Sequence, residues 1–206
     1  MIGDEIAARD YIRDLGGESA IDRFEVLADE LANENRSQNL VSASSLQDVW
    51  VRHFADSVQL IEWAEPDGVW LDLGTGAGFP GLAVAIVRPD QQIRLVESRK
   101  RRCEWLRSMT ERLGLQNCEV IEQRIEKVHT VPVSVISARA FAPLPKLLDL
   151  AHRFSTSETR WLLPKGQSGE HELSELADSR SVTFHVEQSL THEDARILVG
   201  TGGGQS

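Results

Sequence analysis

The residues best suited to chemistry gather in one stretch, Val69-Trp70-Leu71-Asp72-Leu73-Gly74-Thr75-Gly76-Ala77-Gly78-Phe79-Pro80-Gly81. Its first part is a short apolar run holding one carboxylate, the pattern of a buried parallel strand. Glycines at positions 74, 76, 78 and 81 end that run abruptly. Leu82 to Arg88 then suits a helix that stops before Pro89, with Pro80 in its first turn, where a missing N–H does no harm. Strand, glycine turn and helix N-terminus let backbone N–H groups approach a ligand and aim the helix dipole at its negative end. The chemistry expected here is cofactor binding by main chain.

Two cofactor classes fit the glycines. Gly76-x-Gly78-x-x-Gly81 satisfies a dinucleotide fingerprint, whereas Asp72-x-Gly74-x-Gly76-x-Gly78 has the acid-then-glycine form of S-adenosylmethionine sites. The second is preferred, because Gly74 lies directly against the strand end, where the tight turn must be. An open parallel sheet binds its ligand beyond the carboxyl ends of the strands. That rule selects Glu97 after the second strand, Arg124, Ile125 and Glu126 after the third, Arg139 and Phe141 after the fourth, and Lys165 and Gly166 after the fifth. Glu97 is placed to accept both ribose hydroxyls; the bland alternative is a surface pair with Arg99 or Lys100. Ile125 and Glu126 suit an adenine. Phe79 suits either the methionine region or plain packing. His53, on an amphipathic helix, reads as a structural hydrogen-bonder. Cys103 and Cys118 lack metal-ligand spacing, so no metal is expected and both read as reduced thiols.

The elements that position these residues alternate. Beyond the glycine-loop strand, Ile93–Glu97 is a second strand, followed by a basic helix to about Leu113 with Gly114 as its stop. Glu119–Ile121 and Val133–Ser137 are further strands, Leu144–Phe154 is helical, and Arg160–Leu163 is a fifth strand. Residues 170–177 suit a helix, and Val182–Val186 and Arg196–Val199 form an antiparallel closing pair. This predicts an α/β, Rossmann-like sheet of seven strands with the last antiparallel, the layout of class I S-adenosylmethionine-dependent methyltransferases.

The expected organisation is a helical N-terminal extension over residues 1–66, the cofactor-binding domain over 67–200, and a disordered tail over 201–206. In the extension, Ile6, Tyr11, Ile12 and Leu15 share a face ended by Gly16-Gly17. Ser19 caps a second helix bearing Ile21, Phe24, Leu27, Ala28 and Leu31. After a polar connector, Ser45 caps a third helix running from Val49 to Trp63.

The 206 residues carry a formal net charge of -10, which argues against indiscriminate nucleic-acid binding. The charge is uneven: residues 1–36 hold ten acids against four arginines, and residues 88–112 hold eight bases against four acids. Arg99, Lys100, Arg101 and Arg102, acting with Lys165, are therefore expected to grip phosphates while leaving the cofactor alone. Successive helical residues fan out by ~100°, so Arg99 and Arg102 share a face and Lys100 lies well around from them. The N-terminus is too acidic for a signal peptide and no apolar run approaches the ~20 residues of a membrane helix. A cytoplasmic protein is expected.

Five motifs, Asn39–Ser42 (NLVS), Val51–Val58 (VRHFADSV), Leu71–Gly81 (LDLGTGAGFPG), Ala138–Leu144 (ARAFAPL) and Leu163–Gly166 (LPKG), occur in this order and spacing. Together they resemble the bacterial small-subunit rRNA methyltransferase G family, also called glucose-inhibited division protein B, over roughly residues 20–170. The resemblance implies methyl transfer from S-adenosylmethionine to N7 of a guanine in the decoding-region loop of 16S rRNA. The partner it implies is 16S rRNA or the small ribosomal subunit, and the protein is expected to be a monomer. By position it carries cofactor contacts to Gly74, Phe79, Ile125, Glu126 and Arg139, beside Gly76, Gly78 and Glu97 from the loop and strand argument. No general base is required, because N7 already offers a lone pair. No catalytic residue is assigned, and the candidates are Arg139, as a clamp on the methionine carboxylate or the base edge, and Lys165, as a hold on a phosphate. The family commonly has Thr at Val41, Ser at Ala138 and ALKG at LPKG, and Pro164 removes a ladder donor. The alternatives are a nicotinamide-dependent oxidoreductase and a non-catalytic regulator that binds S-adenosylmethionine or RNA.

Overall fold

The computed structural model describes residues 1–167, 169–174, 176 and 181–203. Its frame is a seven-stranded sheet in the order β3-β2-β1-β4-β5-β7-β6. The strands are β1 (Val69–Leu73), β2 (Gln92–Glu97), β3 (Cys118–Glu122), β4 (Val135–Ser137), β5 (Arg160–Lys165), β6 (Val182–Gln188) and β7 (Arg196–Gly202). The first five run parallel, and β7 is antiparallel to both β5 and β6. β1 sits at the centre of the parallel part, with β2 on one side and β4 on the other, so connections leave it in both directions. The crevice that this reversal opens is where an α/β sheet holds its ligand.

Strand alternation builds two cores. Along β1, Trp70 joins the layer formed with α1 (Glu5–Gln38), α4 (Gly81–Val87) and α5 (Lys100–Arg112), while Leu71 and Leu73 join the layer beneath α6 (Leu144–Ala151). Phe24, Leu27 and Leu31 of α1 are fully buried in the first layer, so the N-terminal helix shares the sheet's core.

Several local expectations change. α1 breaks at Gly17 (φ 69°, ψ -174°) into two helical stretches, as the Gly16-Gly17 stop predicts, and Ser19, expected to cap the second, lies two residues beyond the break. Before the kink, Ala8 and Ile12 face the core, and Ile6 is 73% exposed instead of sharing their face. Leu15 is exposed as well.

Ser42, not Ser45, caps the next helix, α2 (Ala43–Gln47), accepting from the Ser45 N–H. The expected third helix is a π-helical stretch, Trp50–Ala55, that runs through α3 (Asp56–Val58) into a 3-10 turn, Gln59–Trp63. The Glu5 carboxylate supplies a reason. It accepts from the Trp50 and Val51 N–H groups at 3.4 and 3.1 Å, competing with the α-helical ladder.

β5 continues through Pro164 to Lys165. Pro164 lies two residues beyond the last pair with β4, where β5 has only β7 as a paired neighbour. β7 extends to Gly202, past the expected end at Val199 and into the segment expected to be a disordered tail. The remaining tail residues, 204–206, lie outside the described residues. The helix expected over 170–177 appears as α7 (Gly169–Ser174), and positions 175 and 177 of that expectation also lie outside the described residues.

Candidate active site: two cavities that meet at one loop

The turn after β1 is held from several sides. Gly74 N–H donates to Val96 O at 2.8 Å, and Gly78 N–H donates back to Thr75 O at 2.9 Å. Gly74 has φ 65°, in the left-handed region that favours glycine. A Cβ at Gly74 would stand 2.3 Å from Phe141 Cδ2, so the missing side chain is what admits that ring. Behind the turn, Asp72 is fully buried and structural. Its Oδ2 accepts from Gly81 N–H at 3.1 Å, at the head of α4, and its Oδ1 accepts from Ser137 Oγ at 2.7 Å. Ser137 Oγ in turn accepts from Trp70 Nε1 at 2.8 Å. The acid of the acid-then-glycine motif thus ties β1, β4 and α4 together.

Glu97 closes the other side of the turn and is only 6% exposed. Its Oε1 accepts from Ser98 and Arg99 N–H at 2.7 and 2.9 Å, and its Oε2 accepts from Gly76 N–H at 3.3 Å. Arg102 stands 3.7 Å from the same Oε2. These residues bound a cavity of about 460 Å³ whose far wall includes Ile125 and Glu126, a volume suited to a small molecule. Glu126 is exposed, and its carboxyl is held below the usual range by its own backbone N–H and by Arg124.

A second, larger cavity of about 1100 Å³ opens on the other side of the loop after β4. His53, Asp56, Arg139, Lys165 and Glu172 line it. Arg139 Nη2 lies 3.2 Å from His53 Nδ1. A guanidinium only donates, so His53 Nδ1 accepts, and Nε2 carries the proton toward Ser45 Oγ at 2.9 Å. Burial first, and the charges of Arg139 and Arg52 after it, push the His53 pKa down to about 3, which keeps the ring neutral. His53 stacks on the buried Phe79 ring at 5.2 Å, and the Arg139 guanidinium lies 5.2 Å from the same ring. Asp56 Oδ2 stands 3.8 Å from Arg139 and Glu172 Oε2 stands 2.7 Å from Lys165 Nζ, so both cations have an acid beside them.

The residues expected at the cofactor are therefore divided. Gly74, Glu97, Ile125 and Glu126 line the smaller cavity, and Gly76 reaches it through its bond to Glu97. Gly78 is packed behind the turn, where a Cβ would lie 2.3 Å from Leu82. Arg139 and Lys165 line the larger cavity, with Phe79 buried beneath Arg139. Arg99 and Arg102 share a face, as their spacing predicts, but Lys165, expected to act with them, does not join them. Arg99 and Arg102 line the smaller cavity with Glu97, while Lys165 lies on the larger one. Asp56 and Glu172 were not legible as site residues, because Asp56 meets Arg139 and Thr191, both distant in sequence, and Glu172 meets Lys165 only where the chain turns back after β5.

A family model described as rRNA small subunit methyltransferase G matches residues 20–199. The chain belongs to this family. Relatives of the methyltransferase G family include one from Erythrobacter litoralis, 50% identical over 98% of both chains. Another, from Sphingopyxis alaskensis, is 47% identical over 98% of this chain and 88% of its own. Both bear the name ribosomal RNA small subunit methyltransferase G. Among solved structures, a SAM-dependent methyltransferase from Aquifex aeolicus aligns with TM-score 0.57 at 16% identity, covering 80% of this chain and 95% of that one. An rRNA methylase from Streptococcus thermophilus aligns with TM-score 0.52 at 15% identity, over 72% and 94%. At such identities these two speak for the fold, which the methyltransferase G family member shares with them.

Proposed function

We propose that this chain transfers the methyl group of S-adenosylmethionine to N7 of a guanine in the decoding-region loop of 16S rRNA, as a cytoplasmic monomer. Family membership supplies the reaction class and sets aside the nicotinamide-dependent alternative. The observation that carries the reading is the meeting of two cavities at Ala140, Phe141 and Ala142, which line both. The smaller holds the glycine turn and the ribose acceptor Glu97, and the larger is open enough for a nucleotide. No helix among the described residues is long and apolar enough to cross a membrane.

In the transfer the S–CH3 bond breaks and an N7–CH3 bond forms. The electron pair of the broken bond stays on sulfur, and the positive charge moves to the purine. No proton leaves N7, so no base is needed, and alignment of nitrogen, methyl and sulfur carries much of the catalysis. The wall must also tolerate a cationic product. Asp56 beside Arg139 and Glu172 beside Lys165 balance two fixed cations that would otherwise repel it. Cleavage chemistry specific for 7-methylguanosine should cut 16S rRNA of the parent strain at one decoding-region guanine. Loss of that cut on deletion of the gene is the expected result, and its persistence would refute the assignment.

Arg102 supplies a smaller test. Its place 3.7 Å from Glu97 supports a role as a restraint on the ribose acceptor over one as a phosphate grip. Arg102→Ala should weaken S-adenosylmethionine roughly threefold, the scale of a half-exposed ion pair. Unchanged cofactor affinity with reduced RNA affinity would return the arginine to the phosphate role.

A further inference from the structure

The two cavities share three residues, and only one of them presents a flat face. Ala140 and Ala142 are small, whereas Phe141 is a half-exposed ring standing where the cofactor side and the open side meet. Phe141 is also the only phenyl ring lining either cavity among the described residues. The backbone is shaped to place it there. Ala140 has φ 51°, a left-handed conformation that a non-glycine residue adopts at a cost and that recurs at functional sites. Across from it, the absence of a Cβ at Gly74 lets the ring rest against the cofactor turn. Two independent features, one on each side, thus fix the ring at the junction.

Resting on the methyl-transfer reading above, we infer that Phe141 is the platform on which the acceptor guanine stacks, holding N7 toward the smaller cavity. A base taken out of an RNA stack loses its neighbours on both faces, and its pocket must replace them with an aromatic or apolar surface. Aromatic platforms do this in a way set by ring area and not by hydrogen bonding. The other rings near the larger cavity are less suited. Phe79 is buried beneath His53 and Arg139, and His53 has one face taken by Phe79. Phe141 reaches the junction without being covered by either.

The test compares Phe141→Leu and Phe141→Tyr with the parent in methyl transfer to 16S rRNA, alongside S-adenosylmethionine affinity by calorimetry. Leucine keeps apolar bulk and removes the π surface; tyrosine keeps the surface. The expected result is a roughly tenfold loss in kcat/KM for RNA with leucine, near-parent activity with tyrosine, and cofactor affinity within about twofold in both. Phe141→Met takes the place of leucine if melting shows that the leucine loop is unsettled, with the same expected loss. Parent-like kcat/KM in the leucine or methionine variant overturns the inference. So does a loss that appears wholly in cofactor affinity, because the ring would then be only a cover for Gly74, or an equal loss in tyrosine and leucine. A parent protein that leaves N7 of 16S guanine unmethylated fails earlier and refutes the function itself.

Discussion

Glu97→Ala is expected to weaken S-adenosylmethionine binding about 100-fold. A hydrogen bond to a charged group contributes about 1.5–3 kcal/mol, and two ribose hydroxyls on one carboxylate reach tenfold per 1.4 kcal/mol twice over. The carboxylate is held in place at the cavity wall. Backbone donors at Ser98 and Arg99 fix Oε1, and Oε2 faces the cavity beside Gly76 and Arg102. The alanine variant also releases the Gly76 N–H, so part of its loss is a less ordered turn. Glu97→Gln separates the two contributions, since it keeps the length and one acceptor oxygen, and it should fall between alanine and the parent. Calorimetry on folded protein decides the matter, and alanine affinity within about threefold of the parent would remove Glu97 from the cofactor. Gly74→Val is the harsher change. Valine at φ 65° is strained and its Cβ would meet Phe141 at 2.3 Å, so this variant should lose stability together with cofactor affinity.

The parallel strands were legible because buried strands are short apolar runs bounded by turn residues, and Val69–Leu73 sits where that pattern places it. Once the strands are placed, the rule about carboxyl ends finds Gly74, Glu97, Ile125 and Glu126, which line one cavity. That rule could not show that residues after β4 and β5 face a different cavity. Arg139 and Lys165 are separated from Glu97 by the Ala140–Ala142 turn, which is a matter of three-dimensional path and not of spacing. The helical region was less legible for a similar reason. The π stretch at Trp50 involves Glu5, 45 residues earlier, and local propensity carries no trace of such a partner. Arg102 looked like one more base in a cationic run, yet the geometry that turns it toward Glu97 comes from α5 packing back on β2.

Asp72→Ala is expected to lower stability by about 3 kcal/mol, although Asp72 lines neither cavity. Removing the carboxylate orphans the Gly81 N–H and the Ser137 hydroxyl in a site with no water contact. Each orphaned donor costs about 1–3 kcal/mol, and relief of a buried charge offsets only part of the sum. Burial raises the Asp72 pKa above the ordinary 3.8; the neighbouring Thr75 hydroxyl, the bonds from Ser137 and Gly81 and the charge of Arg139 counter this only in part. For an acid whose folded pKa is raised, ionisation costs stability at neutral pH. That cost lifts as pH falls through the folded value and is gone below the unfolded one. Asp72→Asn keeps the shape and cannot ionise, so the parent should gain stability relative to it on acidification toward 3.8. Denaturant melts of both proteins at several pH values measure that difference. If the parent instead loses ground to asparagine as pH falls, the ionised carboxylate is stabilised by its bonds more than it is penalised by burial.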